Sequence, residues 1–556
     1  MNAPVGPEKS GSLDLLRHGI FTSENGDVIL TLKTNPHSKD QTQSKVEKIE
    51  NSFNVVIMNP PFTRSDRIPA LVGDRARNDL NRLGLTFGRI RTNNLFVAGL
   101  GKPFLVLAGR LCGEDGRIAL VLPNSILSRD GWKDIRRGIV NSYAIEYIIA
   151  SFAKGVPNFS SDTQFREILL VLRKSKKENE RIRTNVINLF APIDDLKLNE
   201  VDSLAYSIKS GRESIVIPRK THQLVATSKR FDWNRIVKLS DNWYRLVAFK
   251  NLELTEHHLS LIEKHCTKLK SYFAIGSVVD HSNGFEVLRN QPPNDHYCAV
   301  WGSGKRPEVT TLRAKPHQFI VITNRHDIKC RLWGKEYSSR LMILRRGQLD
   351  TQYALIFELD KEAVSNVWWP LHTLKNIEEE YTKAIVVFLN SIFGIIHMLG
   401  ERLETRGLWI EYKKGQLTKF PIPDFRKIGL KALRSIFVEN GVEESMVAPM
   451  PSVRDYIATM ASIEAKSGDF GTTIEEALRN PEVRARASID KVSMQLLDLL
   501  GCKTVPQKIY QLVQEEMETL RHIMENDTNQ RAIKDRGSEA LKGINDKYQR
   551  KIAEFS

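Results

Sequence analysis

The stretch Asn54-Val55-Val56-Ile57-Met58-Asn59-Pro60-Pro61-Phe62 constrains this chain more than any other. A short apolar run containing β-branched residues predicts a buried strand, and two prolines stop it. Each proline fixes its own φ, removes a backbone donor and biases the residue before it toward extended geometry. Asn59 is therefore expected in a stiff, extended turn at the carboxyl end of a strand, where open α/β sheets bind ligands. Its amide offers an acceptor and donors. The carbonyls of Asn59 and Pro60 keep free lone pairs because no helix can consume them, and the Phe62 ring follows at once. Such a turn suits a flat, amine-bearing group.

Strand-like and helix-like segments alternate after this turn. Leu95 to Leu111 has helical periodicity, Gly116 to Pro123 reads as a second buried strand, and Gly131 to Ser142 reads as a helix. Ile145 to Ala150 and Glu167 to Lys174 complete the set, the latter as a hairpin partner of its neighbour. Alternation of this kind predicts one α/β domain with a largely parallel sheet. From about residue 190 the pattern shifts to short strands in polar loops, with basic and aromatic residues interleaved at Lys229, Arg230, Phe231, Trp233 and Arg235. Trp243, Tyr244, Arg245, Arg340, Arg345 and Arg346 continue that mixture. From Arg426 on the sequence reads as charged and helical. The expected division is 1–190, 191–427 and 428–556. Ala384 to Gly400 reads as one buried helix, marginal for a bilayer span because it holds Asn390, Ser391 and His397.

The charge balance narrows the class of partner. Lys+Arg 82 against Asp+Glu 66 gives a formal net charge of +16, and the pI is near 9.4. That balance favours a polyanion, nucleic acid before membrane. The five cysteines stand singly, with no Cys-x-x-Cys pair. This argues for a reducing compartment, the cytoplasm, and against a zinc ribbon, so no metal is expected. The polar start gives no sign of a signal peptide.

The turn's chemistry can be stated from its groups. An exocyclic aromatic amine is a poor nucleophile because its lone pair is delocalised into the ring. The Asn59 side-chain oxygen and the Pro60 carbonyl can accept both amine protons, which holds the nitrogen and favours lone-pair character. Catalysis would then be positioning plus electrostatics. Phe62 would stack on a base turned out of its duplex, with Pro61 lining the same slot, so a DNA-gripping region is needed behind the loop.

On these residues the chain resembles the gamma-type adenine-specific DNA methyltransferases of restriction–modification and phage-defence systems. The likeness extends through Gly116 to Pro123 and Thr163 to Lys174. Further on, Phe388-Leu389-Asn390-Ser391 and Gly415 to Pro423 are similar to the closing helix and loop of the family's target recognition domain. The resemblance implies a Rossmann-like class I methyltransferase fold, α/β, followed by a mixed α/β DNA-recognition domain and a helical C-terminal region. It implies S-adenosylmethionine as cofactor, double-stranded DNA as partner, and Asn59, Pro60 and Phe62 as catalytic residues. Phe159 falls near the family's second aromatic against the flipped base; its alternative is a core or lid ring.

One departure matters. The family binds S-adenosylmethionine through a Gly-rich strand-to-helix turn ahead of the catalytic motif, with an acid for the ribose. Before Asn59 this chain has only Gly6, Gly11, Gly19 and Gly26, and no glycine pair follows an apolar strand. Asp14, in Gly11-Ser12-Leu13-Asp14, is the one candidate cofactor contact; otherwise it is a solvated turn residue. The methyltransferase domain is thus expected to be incomplete, one part of a split enzyme or a truncated one, needing a separate subunit with the cofactor-binding half. Two rival classes stay open: a non-catalytic DNA-binding specificity component, and an enzyme acting on glutamine side chains or RNA bases.

Overall fold

The computed structural model describes residues 20–22, 28–33, 44–48, 51–60, 86–87, 90–91, 101–152, 167–174, 183–190, 196–216, 224–279, 284–293, 296–302, 309–323, 336–402, 408–502 and 505–521. The chain forms two compact units, 1–250 and 251–556.

The first unit opens with a small antiparallel sheet of β1 (Ile20–Thr22), β2 (Val28–Lys33) and β3 (Ser44–Lys48). The strand that leads into Asn59, β4 (Phe53–Met58), belongs to a different, seven-stranded sheet. A short hairpin, β5 (Thr86–Phe87) and β6 (Ile90–Arg91), lies between β4 and the next strand in sequence. The sheet continues with β7 (Cys112–Pro123), β8 (Tyr143–Ser151), β9 (Glu167–Lys174), β10 (Arg183–Leu189), β11 (Ser214–Val216) and β12 (Leu224–Asp232). Their spatial order is β11-β12-β10-β8-β9-β7-β4, so that among the described residues β4 is an edge strand.

The sheet is mixed rather than largely parallel. Only β4 with β7 and β8 with β10 run parallel. Strand β9 is antiparallel to both neighbours, so it slots between β7 and β8 in reverse. The hairpin reading of 167–174 with its neighbour holds for β8 and β9, whereas strand–helix alternation does not report that β9 also pairs with β7. Strand β7 also begins four residues earlier than periodicity suggests. The segment Gly113 to Gly116 is irregular, with Asp115 at φ 57 and the register to β4 shifting between Phe53 and Val55. A Cβ on Gly116 would lie 2.7 Å from the Cys112 sulfur, so the irregularity needs glycine there.

One face of the sheet is well covered. Helices α1 (Gly101–Leu111) and α2 (Lys133–Ser142) bury Phe104, Leu105, Ile135 and Ile139 on the side of Val56, Ile118, Leu120, Leu170 and Leu172. A buried ion pair joins the helices: Lys102 Nζ lies 2.7 Å from Asp134 Oδ2 and donates to the Gly131 carbonyl. On the other face α3 (Leu198–Ser210) covers the far end, where Leu204 packs with Ile187, Leu189, Ile215 and Ala226. The rest of that face, over β9, β7 and β4, carries half-buried Val171, Leu169, Val121 and Ala119 and then exposed Ile57 and Val55.

The basic–aromatic run at 229–235 resolves by strand pleat. In β12 and α4 (Trp233–Lys238), Phe231 and Trp233 turn into the core while Arg230 turns outward and donates to the Asn185 side-chain oxygen. Trp243 and Tyr244 are fully buried. The aromatic half of that mixture builds the first unit's core.

The second unit starts with α5 (Leu252–His265) and β13 (Cys266–Lys268). Its main sheet has eight strands: β14 (Phe273–Ile275), β15 (Phe285–Leu288), β16 (Tyr297–Val300), β17 (Arg313–Ala314), β18 (Gln318–Ile322), β19 (Ser339–Leu344), β21 (Ile356–Ser365) and β22 (Trp368–Thr373), with β20 (Arg346–Gln348) outside it. The expected single helix over 384–400 is two: α6 (Glu379–Asn390) and α7 (Ile392–Glu401), bent by 78°. Ser391 makes the break, accepting from the Gly394 N–H as the N-cap of α7. No single described helix is long and apolar enough to cross a membrane. After β23 (Trp409–Glu411), α8 (Lys414–Thr418) and β24 (Pro421–Pro423), the chain is helical, as the sequence suggests: α9 (Leu430–Glu439), α10 (Val442–Val447), α11 (Val453–Ser467), α12 (Phe470–Leu478), α13 (Arg484–Leu499) and a helix at 509–521.

Candidate active site

The site is built at the rim of the first sheet. Met58 pairs with Leu120, so β4 ends beside the last turn of β7 and hands the chain to Asn59 and Pro60. Asn59 is exposed and Pro60 buried, so the proline ring anchors the turn. The same rim collects the carboxyl ends of β7, β8 and β10 and, because β9 is reversed, its amino end. Pro123 pairs with Glu167 across β7 and β9, which brings buried Asn124 and buried Glu167 to that rim. Neither residue stands out in the sequence. A buried acid opening an apolar strand, and an asparagine directly after a strand-ending proline, are the signals that point to them.

Strand spacing decides what can reach Asn59. Neighbouring strands lie about 4.8 Å apart, so across the sheet β7 is one step away, β9 roughly 10 Å and β8 roughly 14 Å. Asn124 follows the end of that adjacent strand, about 10 Å along it from the level of Asn59, because Met58 pairs with Leu120 and β7 runs on to Pro123. The ring pair Phe152 and Phe190, with centroids 6.3 Å apart at the ends of β8 and β10, sits too far along the rim to stack on a base held at Asn59. Pro61, Phe62, Phe159 and Asp14 lie outside the described residues.

The loop leaving β7 is held from beneath. Arg136, buried in α2, donates through Nε to the Ser240 carbonyl at 2.9 Å and through Nη1 to those of Ile126 and Arg129 at 2.8 and 3.0 Å. Its Nη2 donates to Ser128 and Asp241 carbonyls at 3.4 and 3.1 Å. All five N–H groups are thus spent on backbone oxygens. Burial pulls the guanidinium down to about 10, with Asp130, Asp241 and Asp134 opposing, so it stays charged at neutral pH. At the opposite rim, Lys174 Nζ donates to the Asn51 side chain and to the Gly109 and Cys112 carbonyls, clipping the start of β4 to β7. Burial raises the Cys112 thiol, against the Lys174 charge, which makes it a structural group and not a nucleophile. Among the described residues no cluster of His, Cys, Asp and Glu has the makings of a metal site.

In the second unit the two segments singled out in the sequence both reach His397, whose ring lies 5.9 Å from that of Phe388. Asn390 is fully buried; its Oδ1 accepts from the Leu355 N–H at 2.8 Å and its Nδ2 donates to the Ile356 and Val386 carbonyls. His397 of α7 bonds the Pro421 carbonyl through Nε2 at 2.5 Å and meets the Phe420 ring edge-on at 5.2 Å. These are closing contacts of a scaffold. Arg345 is likewise occupied, donating to the Asn366 carbonyl and lying 5.3 Å over Trp369, while Arg346 beside it is exposed.

No curated protein sequence matches the chain. Among solved structures, the type IIG restriction endonuclease BpuSI aligns at 14% identity over 80% of this chain and 54% of its own, with a TM-score of 0.30. The methyltransferase subunit of a type I restriction-modification system from Streptococcus thermophilus aligns at 16% identity over 38% of this chain and 39% of its own, with a TM-score of 0.24. The ATP-dependent type ISP restriction-modification enzyme LlaBIII, bound to DNA, aligns at 11% identity over 84% of this chain and 37% of its own, with a TM-score of 0.33. The chain thus spans about half or less of the length of these proteins. Residues 16–200, which contain the whole β4–Asn59–β7–β9 arrangement, match the family model for N-6 DNA methylases.

Proposed function

We propose that the chain is a component of an adenine-N6 DNA methyltransferase of a restriction or defence system, acting on a base flipped from double-stranded DNA. The observation that carries this reading is Asn59-Pro60 at the open rim of a sheet inside the segment that matches the N-6 DNA methylase model. Asn59 Oδ1 and the Pro60 carbonyl would each accept one proton of the adenine amine, fixing the nitrogen and presenting its lone pair. Phe62 would stack on the base, with Pro61 and Phe159 beside it. S-adenosylmethionine supplies, when bound, an electrophilic methyl group. Grip on the duplex is assigned to the part of 191–427 that lies in the second unit, ahead of the helical 428–556 region, and the basic balance of the chain suits that role.

The described residues do not fit a complete S-adenosylmethionine site. Such a cradle belongs on strands beyond β4, and β4 is the last strand of its sheet among the described residues. We therefore assign most of the donor site to a separate subunit, with Asp14 the one contact proposed from this chain. The same misfit favours a second reading, a non-catalytic DNA-binding specificity component. The variant Asn59→Ala separates the two. In the native host it should lower adenine methylation at least about 100-fold while DNA affinity changes less than about twofold. Methylation that is absent from the wild-type host, or unchanged by the substitution, rejects the enzymatic reading.

A further inference from the structure

Three features of the first unit converge on one side of it. Strands β7 and β9 read Ile-Ala-Leu-Val-Leu and Ile-Leu-Leu-Val-Leu, apolar on both faces, a pattern of strands covered on both sides. Yet among the described residues only one face carries helices along their whole length. On the other, half-buried Leu169, Val171, Val121 and Ala119 lead to the exposed side chains of β4. Those side chains are Phe53, Val55 and Ile57, 41%, 57% and 76% exposed, alternate residues and so on a single face. They are also on an edge strand, whose outer backbone groups have no ladder partner among the described residues. A flat apolar edge of this kind is a template for another chain.

We propose that this face and edge form the docking surface for a second, different polypeptide, which adds a strand beside β4 and lays an apolar helix over Val55, Ile57, Val121 and Val171. The proposal rests on the methyltransferase reading and deepens it, because it commits to the donor-binding subunit as the occupant. Asn59 ends the edge strand, so whatever delivers a methyl group to an amine held there must approach from the free side of β4. A copy of the same chain would bring a second Asn59 rim and no donor site. Charge gives the partner a further property. Arg117, in register with Val55, lies opposite Arg173, and both face the single carboxylate of Glu146. The Arg117 Nε and Nη2 atoms are 2.8 and 3.1 Å from the two Glu146 oxygens, and Arg173 Nε is 3.9 Å from one of them. Two guanidiniums to one carboxylate leave one positive charge in excess at the amino end of the apolar stripe. The partner is expected to carry an acidic side chain there.

The test uses the full chain in its native host, with the photoreactive amino acid benzoylphenylalanine placed at Ile57, and at Leu198 on α3 as a control. After irradiation, adducts are sized, identified by mass, and then exposed to tritiated S-adenosylmethionine under ultraviolet light. The expected result is one adduct at Ile57 with a different polypeptide that takes up the label, and none at Leu198. Val55→Asp in the same chain should reduce that adduct at least about tenfold, with the circular dichroism spectrum unchanged; Arg173→Glu provides a second variant should Val55→Asp unfold. An adduct between two copies of this chain, an adduct that stays unlabelled, or no adduct at Ile57 overturns the proposal. Failure here is distinct from failure of the methyltransferase reading: host DNA that still loses its methylated adenine with Asn59→Ala, while Ile57 yields no adduct, keeps the enzyme and removes this interface.

Discussion

Arg136 shows how much a single side chain can organise around a site it never touches. It gathers five carbonyls from the loop after β7 and from residues 240–241, and each would be left unpaired in a dry interior without it. Arg136→Met is expected to destabilise the protein by at least about 3 kcal/mol, read as a lowered midpoint in denaturant. Arg136→Lys keeps the charge but loses the planar fork, so it should recover only part of the loss. Equal stability of wild type and Arg136→Met would show that the loop finds other donors. Periodicity marks Gly131 to Ser142 as a helix, but nothing local says that its arginine points inward. That fact depends on residues 104 and 105 positions away.

At the scale of elements, the helical layers of the second unit meet on Asp490 of α13. Its Oδ1 accepts from the Ile392 N–H at the start of α7, and its Oδ2 from the hydroxyls of Tyr456 and Tyr510, each at 2.5 Å. Burial pushes the carboxyl up to about 6 despite these bonds and the nearby Arg486 charge. The folded state therefore binds this proton more tightly than the unfolded chain, whose aspartate titrates near 4. The sign follows from linkage: stability from this group is present below pH 4 and is lost as pH rises through about 6. The loss is on the order of 2 to 3 kcal/mol. Melting temperatures across that window should fall more steeply for wild type than for Asp490→Asn, which does not titrate and should be less stable at low pH because it gives up a hydroxyl bond. Parallel curves would assign the pH dependence to other groups. The Ala384 to Gly400 stretch belongs at this scale as well. Its apolar character is plain in the sequence, but its division at Ser391 is local capping chemistry that hydropathy does not register.

For the whole molecule, the proposed divided donor site, with β4 the last strand of its sheet among the described residues, makes donor binding depend on another subunit. Titrating S-adenosylmethionine into the isolated chain is expected to show no binding up to about 1 mM, an affinity weaker than roughly −4 kcal/mol. Micromolar binding by this chain alone would falsify the divided site. Much of that architecture was readable in advance. The strands at 53–58, 112–123, 143–151 and 167–174 announce themselves by apolar runs and punctuating prolines or charges, and the Asn59 turn follows from two adjacent ring-locked residues. The hairpin of β8 and β9 was readable as well; the insertion of β9 between β8 and β7 was less accessible, since both faces of that strand are apolar and periodicity does not name a second partner.

Sequence alone determined the local chemistry of this protein: a strand, a proline-stiffened turn, an amide acceptor and an aromatic, with the positive charge to meet a polyanion. These are short-range properties, fixed by covalent geometry and neighbouring residues. The tertiary structure decided which groups share that rim and what remains uncovered. Asn124 and Glu167 came to the site through strand pairing, the aromatics at 231–244 went to the core, and Val55 and Ile57 were left facing outward. Those outcomes depend on contacts between residues far apart in the chain, where packing and strand order overrule any local pattern.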